Sequence, residues 1–449
     1  MSSEAATHPQ PSPPSRIAGL VAWPRRLPGT LALGLIGSAL LWLAQPPACL
    51  SLLAWLAPMP WLLVALGEDP LGRRGWLKLW AAGAAYWAAA VWWVVLPHPL
   101  TPLGLPFLAG YLGMYLPTFV WLVRAALRHT PLPLWVAAPA AWVGLEWLQS
   151  HLFTGFAIAG LAHTQAWWPS VIQIASFGGA YAVSFVMLMF AAGVVDGARA
   201  VQRSRDRSLI QFDPRPPVAF FAATVPVAVT LFTGHFRATS GGIEIAPSVG
   251  TATVALLQSD IRATWDPDPK RSERIMQRML DLSKQAARQA EAAGKTLDLI
   301  VWPESMFRTP VWTFADQFTP PPELNPAYAE RAGYAQRNAQ AFAIWTGTPT
   351  LFGIDRYNYP GPFIGDVMEW EMTFHNSAAL ADAQGNFVAV YDKMHRVPFG
   401  EYIPLFENLP ALYYLTPLSG GITPGERPVA MEARGARREA RTPEEGLAS

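Results

Sequence analysis

LWAAGAAYWAAAVWWVVLPHPLTPLGLPFLAGYLGMYLPTFVWLV, residues 79–123, contains no Asp, Glu, Lys or Arg. A helix needs about 20 apolar residues to cross a bilayer, and two such lengths flank PHPLTP (97–102), whose prolines end helical hydrogen bonding. The stretch reads as a hairpin of two membrane spans. Working outward, five further stretches of similar character appear, giving spans at 27–45, 49–66, 77–96, 103–123, 132–149, 171–195 and 217–234. Residues 27–67 are likewise free of charged side chains, and between 129 and 195 the only one is Glu146. Helices of a large soluble core would carry polar faces, which these stretches mostly lack.

The basic residues orient the bundle. Arg16, Arg25 and Arg26 precede the first span, Arg73, Arg74 and Lys78 fall in the second loop, and Arg124 and Arg128 in the fourth. Arg199, Arg203, Arg205, Arg207 and Arg215 fill the sixth, while the intervening loops 46–48, 97–102 and 150–170 contain no Lys or Arg. Positive loops stay cytoplasmic, so this alternation predicts seven spans, a cytoplasmic N-terminus and a non-cytoplasmic location for everything after residue 235.

Composition agrees with a membrane protein: 51% of residues are hydrophobic, 14% are charged and 20 are tryptophan. A net charge of +1 without a basic stripe leaves no footprint for nucleic acid. The one cysteine, Cys49, excludes an intramolecular disulfide and any cysteine-based metal site. It lies in an apolar segment near the non-cytoplasmic end of the second span, where a buried packing role is expected. Residues 1–26 form a leader that begins polar and proline-rich and is expected to be disordered, without the ordered regions of a signal peptide.

From about 251 to 430 the pattern changes to alternating strands and helices. TVALLQSD (253–260) reads as a strand and 269–294 as an amphipathic helix stopped by Gly294. LDLIVWPES (297–305) reads as a buried strand closing on a carboxylate, 323–341 as a second helix, and AIWTGTPTLFG (343–353) as a strand. HNSAALADAQGNFVAVYDK (375–393) reads as a hairpin turning at Gln384, Gly385 and Asn386. The alternation is that of a layered α/β domain.

Three charged residues stand where chemistry can occur. Glu304 ends its strand, where α/β folds place their sites and where partial burial favours a general base. Lys393 follows the hairpin, where an ammonium can stabilise an oxyanion, and Glu401, eight residues on, can orient that lysine or act as a second acid. Trp265 can wall a pocket. Taken singly, a strand-end glutamate is more often a cap, a strand-end lysine is more often solvated, a loop glutamate is more often exposed, and most tryptophans simply pack. Glu146, the isolated charge near a span end, fits either an ion path or a glutamate facing an outer pocket.

Taken together, QSDIRATW (258–265), LIVWPES (299–305), HNSAAL (375–380), YDKMHRVPFGEY (391–402) and GLEWLQSHLFTGF (144–156) resemble the bacterial apolipoprotein N-acyltransferases, membrane members of the carbon–nitrogen hydrolase (nitrilase) superfamily. The resemblance spans nearly all of residues 16–430. It implies a seven-span region (27–235) followed by a periplasmic nitrilase-like αββα sandwich domain (251–430) in the bacterial inner membrane. It also implies a Glu–Lys–Cys triad with Glu304 as base, Lys393 as oxyanion stabiliser, Glu401 as a further essential glutamate and Trp265 near the substrate. The cysteine would take an acyl chain from a phospholipid as a thioester and pass it to the amino group of an S-diacylglyceryl cysteine on an apolipoprotein. That scheme needs no cofactor or metal, and a monomer in the bilayer suffices for it.

The sequence departs from the family at its C-terminal end. The family's nucleophilic cysteine lies on an apolar strand beyond a segment like LSGGITPGERPVAM (418–431), whereas here EARGARREARTPEEGLAS follows. This charged tail, 431–449, cannot make a buried strand, so the domain reads as incomplete at the C-terminus, the reading frame as broken near 431, and the chain as inactive. Ser305 and Ser377 lie near the motifs but lack any sign of a base strong enough to activate a hydroxyl. Competing readings are another nitrilase-type amidase, a membrane protein that only binds lipoprotein or phospholipid, and a transporter.

Overall fold

A computed structural model describes residues 28–68, 70–96, 101–206, 215–239, 252–261, 268, 270–314, 325–359, 372–397, 400–402 and 421–433. The 1–26 leader, Trp265 and all but three residues of the 431–449 tail lie outside the described residues. The chain divides into two compact units, residues 1–244 and 245–449.

The first unit is helical. Its elements are α1 (Thr30–Ala44), α2 (Leu53–Leu56), α3 (Pro58–Ala65), α4 (Gly72–Ala90), α5 (Leu105–Gly113), α6 (Tyr115–His129), α7 (Leu134–His151), α8 (Pro169–Ile172), α9 (Ala175–Asp206) and α10 (Arg215–Thr239). Among the described residues three helical stretches are long and apolar enough to cross a membrane: Thr101–His129, Ala175–Gln202 and Val218–Arg237. Thr30–Ala44 and Leu53–Ala65 are shorter apolar helices. Pro58 divides the apolar run 49–66 into α2 and α3, and the long α9 breaks at Gly178 and Gly179. In lipid no hydrophobic driving force draws helices together, so close van der Waals packing matters and small residues are needed where backbones approach. A side chain on Gly83 of α4 would meet the Gly113 carbonyl oxygen at 2.7 Å, and one on Gly113 would meet the Ala84 nitrogen at 2.6 Å.

Cys49 departs from expectation. It lies between α1 and α2 with a positive φ of 52° and is exposed rather than packed. The cause is local: the Pro46–Pro47 pair ends α1, and the connection beyond it turns at the surface.

The second unit holds one mixed sheet, built among the described residues from β1 (Val254–Leu256), β2 (Leu299–Val301), β3 (Phe307–Phe314), β4 (Thr350–Tyr359), β5 (Thr373–Ala381) and β6 (Phe387–Asp392). The order is β1-β2-β4-β5-β6, with β1, β2 and β4 parallel and β4, β5 and β6 antiparallel. Helices α11 (Arg271–Ala292) and α12 (Asn325–Thr346) pack on it through Ile275, Met279, Ala339 and Phe342, against Ile300, Trp302, Phe307, Phe352 and Ile354. One sheet with one helical layer is thus described, short of a four-layer sandwich.

The strands differ in places from those read in the sequence: β1 and β2 are shorter than the runs 253–260 and 297–305. Residues 343–346 continue α12 rather than opening a strand, because Phe342 and Ala343 on its inner face are buried; β4 begins at Thr350, after Gly347 turns the chain with φ 55°. The segment 307–314, unassigned from the sequence, forms β3.

Candidate active site

Strand β3 changes the setting of Glu304. β2 pairs with β4 at Thr350 and Leu351, and β3 resumes on the same edge at Ile354, also in parallel. Trp302 to Met306 therefore form a break within one interrupted strand, and Glu304 sits in that break rather than at a free strand end. Ser305 turns it with φ 53°, and Gly353 of β4 lies beneath. A side chain at Gly353 would meet the Pro303 carbonyl oxygen at 2.3 Å and the Glu304 Cα at 2.7 Å, so the break requires glycine opposite it. The burial expected of Glu304 is absent, its side chain being 62% exposed.

Lys393 follows β6 directly. Its N–H donates to the Asn376 carbonyl at 2.8 Å and its carbonyl accepts from the Gly425 N–H at 3.0 Å, which ties 421–425 beside it. Its ammonium donates to Glu401 Oε1 at 2.6 Å and to Glu304 Oε1 at 3.5 Å. Burial pushes Lys393 down, but the hydrogen bond to Glu401 and the charges of Glu304 and Glu401 outweigh it and hold the ammonium above its ordinary range.

Glu401 explains the polar residues around VPFG. Its Oε1 accepts from Lys393 while Oε2 accepts from the Val397 N–H at 2.9 Å. Its own N–H donates to the Val397 carbonyl at 2.8 Å, so one nearly buried carboxylate closes the turn and neutralises the lysine. Arg396 lies over the Tyr402 ring at 4.4 Å and donates to the Ile422 carbonyl at 3.1 Å, pinning the rest of the loop.

Sequence reasoning missed Asn376. Its buried amide donates to Glu304 and, at 3.4 Å, to Glu401, so it joins the two carboxylates from a third element, β5. It also missed a second network beside the first. Arg356 donates to both oxygens of Asp392 at 2.9 and 2.5 Å and to Thr313 Oγ1 at 2.8 Å, while Ser377 donates to Asp392 at 2.6 Å. Burial raises Asp392, but the hydrogen bonds from Arg356 and Ser377 prevail and hold its carboxyl below the usual range. Burial lowers His375 beside it, the Arg356 charge adds to that, and the Asp392 charge only partly opposes them, leaving the imidazole neutral near pH 7. The HNS and YDK motifs were the available signal, since Ser377 pairs with Asp392 across β5 and β6.

The hydroxyls near the motifs are engaged by carboxylates. Ser305 donates to Asp355 at 2.8 Å, as Ser377 does to Asp392. The geometry thus supplies an ammonium between two carboxylates, one exposed and one nearly buried. Such a lysine stabilises negative charge developing on a carbonyl oxygen, and an exposed carboxylate beside it can accept a proton. Among the described residues no group of three or more His, Cys, Asp or Glu side chains is placed to hold a metal.

Residues 37–193 match the apolipoprotein N-acyltransferase N-terminal domain. A protein of Rhodopirellula baltica named apolipoprotein N-acyltransferase is 30% identical over 439 residues, covering 89% of this chain and 72% of its own. Proteins of the same name from Geobacter metallireducens and Azotobacter vinelandii are each 29% identical over 429 residues, covering 72% and 71% of their own length. Among solved structures, a cysteine-to-alanine mutant of a Nesterenkonia amidase from the nitrilase superfamily is 19% identical, covers 41% of this chain and 52% of its own, and has a TM-score of 0.22. The chain joins helices long and apolar enough to span a membrane to a mixed-sheet unit that carries a carboxylate–lysine cluster. The chain belongs to the apolipoprotein N-acyltransferase family.

Proposed function

We propose that the chain carries the acyl-transfer apparatus that moves a fatty acyl group from a phospholipid to the amino group of an S-diacylglyceryl cysteine on an apolipoprotein. In this reading Glu304 is the general base, Lys393 stabilises the oxyanion, Glu401 holds Lys393 in place, and Trp265 contacts substrate. The observation that carries it is the Lys393 ammonium between Glu304 and Glu401. Residues 27–235 cross the inner membrane seven times from a cytoplasmic N-terminus, residues 251–430 act in the periplasm as part of a nitrilase-like sandwich, and the protein works as a monomer. Covalent transfer through a thiolate would split a hard amide-forming step into two easier ones.

The only cysteine, Cys49, belongs to the first unit and not to the sheet that carries Glu304 and Lys393. That favours a second reading for the 449-residue chain by itself: it binds lipoprotein or phospholipid without turning it over. The test joins residues 1–430 to the corresponding C-terminal remainder of the Rhodopirellula baltica relative and measures N-acylation of an apolipoprotein in cells depleted of their own enzyme. The chimera is expected to acylate and the 449-residue chain is not. Acylation by the 449-residue chain overturns the second reading, and failure of a folded, membrane-inserted chimera overturns the first. Lipoprotein that co-purifies with the 449-residue chain and is lost in Trp265→Ala supports binding.

A further inference from the structure

The hydrogen bonds around Lys393 treat the carboxylate oxygens of Glu304 and Glu401 unequally. Glu304 Oε1 accepts from the Asn376 amide and, at 3.5 Å, from the Lys393 ammonium. Glu401 Oε1 accepts from the same two donors, at 2.6 Å from Lys393 and 3.4 Å from Asn376. Glu401 Oε2 accepts the Val397 N–H at 2.9 Å. Glu304 Oε2 is the exception: it accepts no hydrogen bond among the described residues, and its side chain is 62% exposed.

Asn376 is the neutral member of this cluster. Its side chain is buried, and both groups it meets are carboxylate oxygens, so only the NH2 end of the amide can face them. Its two amide hydrogens thus serve two glutamates. The backbone holds the side chain in place: the Asn376 carbonyl accepts the Lys393 N–H at 2.8 Å, and Asn376 pairs with Asp355 across β4 and β5. Asp355 is engaged elsewhere, accepting the Ser305 hydroxyl at 2.8 Å and lying 4.0 Å from Arg308. Of the two charges nearest Glu304, Lys393 favours its ionised form and Glu401 opposes it. One ammonium is shared between two carboxylates, and a neutral donor between them supports both charges without adding one of its own.

We propose that Asn376 is a positioning residue for proton transfer: its amide fixes Oε1 of both glutamates and leaves Glu304 Oε2 as the oxygen that takes the proton a nucleophile gives up. Lys393 does not fill this role by itself, because its ammonium sits on a flexible stem and can swing toward either glutamate, whereas the amide is held by the sheet. Glu401 is not the acceptor, since both its oxygens are engaged. Without the amide, Glu304 and Glu401 repel each other across one lysine, and Glu304 keeps its proton to higher pH, where it is lost as a base. The reaction served rests on the acyl-transfer reading; the hydrogen bonds and their effect on Glu304 do not.

The test treats the full 449-residue chain in detergent with a diazoacetamide, which esterifies carboxyl groups in their protonated form. Peptide mass spectrometry then reads the esters from about pH 4 to about pH 8. In the unaltered chain Glu304 is expected to label at the acid end and Glu401 to resist. In Asn376→Leu, which keeps the size and removes the donor, Glu304 labelling should persist to a hydrogen-ion concentration about tenfold lower. An unchanged profile overturns the proposal, and so does a change that is the same at every pH, which reports access alone. Equal labelling of the two glutamates in the unaltered chain overturns it too. Should Asn376→Leu fail to fold, Asn376→Ala is read in the same way. In the chimera, Asn376→Leu should lower kcat by about tenfold or more near about pH 6, with KM little changed and the loss shrinking as pH rises. A loss equal at every pH overturns the positioning role. An unaltered chimera that folds but does not acylate overturns the acyl-transfer reading, and the labelling still decides what Asn376 does at Glu304.

Discussion

Lys393 Nζ and Glu401 Oε1 lie 2.6 Å apart, and the same glutamate closes the turn at Val397 through its other oxygen. The pair couples the charge of the site to the fold of its loop. Lys393 is raised above its ordinary 10.5, so the unfolded chain releases this proton first as the solution becomes alkaline. Its contribution to stability is therefore full below about pH 10.5 and is lost as pH rises through the higher folded value. Urea unfolding followed from about pH 9 to about pH 12 should show this loss, and Glu401→Gln should flatten it. An identical alkaline profile in the variant would count against the coupling.

Glu304 and Lys393 are proposed as base and oxyanion stabiliser, and the chimera described above offers a direct assay. Glu304→Gln and Lys393→Met should each lower its acylation rate by about 100-fold or more while leaving membrane insertion intact. A rate within a few-fold of the unaltered chimera would remove that residue from the chemistry.

Gly353 supports the break that carries Glu304. Ala at this position would press its Cβ on the Pro303 carbonyl and the Glu304 Cα, which are backbone atoms and cannot rotate away. The expected result is a loss of about 1–3 kcal/mol in unfolding experiments, together with a displaced Glu304. A variant as stable as the parent would show that the break can move without strain.

The Arg356–Asp392 pair is mostly buried, at 14% and 20% side-chain exposure. Removing one partner of a fully buried pair costs about 3–5 kcal/mol; partial exposure brings the expectation for Arg356→Met to roughly 2–3 kcal/mol. Asp392 is held below its ordinary 3.8, so its contribution is present above about pH 4 and fades as pH falls through the lower folded value. The acid limb of the stability curve should therefore flatten in Arg356→Met. Equal acid sensitivity would mean that Arg356 is not what holds Asp392 ionised.

Cys49 is a native reporter of topology, being the only thiol and exposed. A membrane-impermeant maleimide added to intact spheroplasts should label it, because the 46–48 loop beside it lacks basic residues and is assigned to the outside. Labelling only after permeabilisation would invert the proposed orientation.

Much of this was legible in the sequence because its signals are local. Charge-free runs between prolines mark helices whatever they pack against, and Gly294 and Gly385 stop a helix and turn a hairpin by their own backbone freedom, with φ of 67° and 85°. The spacing of Lys393 and Glu401 was likewise visible, since eight residues around a turn lie close in space. Tertiary structure alone decided what depends on partners distant in sequence. β3 exists because β4 offers it a parallel edge, and the break at Glu304 exists because Gly353, 49 positions away, leaves room for it. Asn376 joins Glu304 and Glu401 only once β5 is aligned on β4. Sequence periodicity records which face of an element is apolar; it carries no record of which distant residue will fill, or leave open, the space opposite.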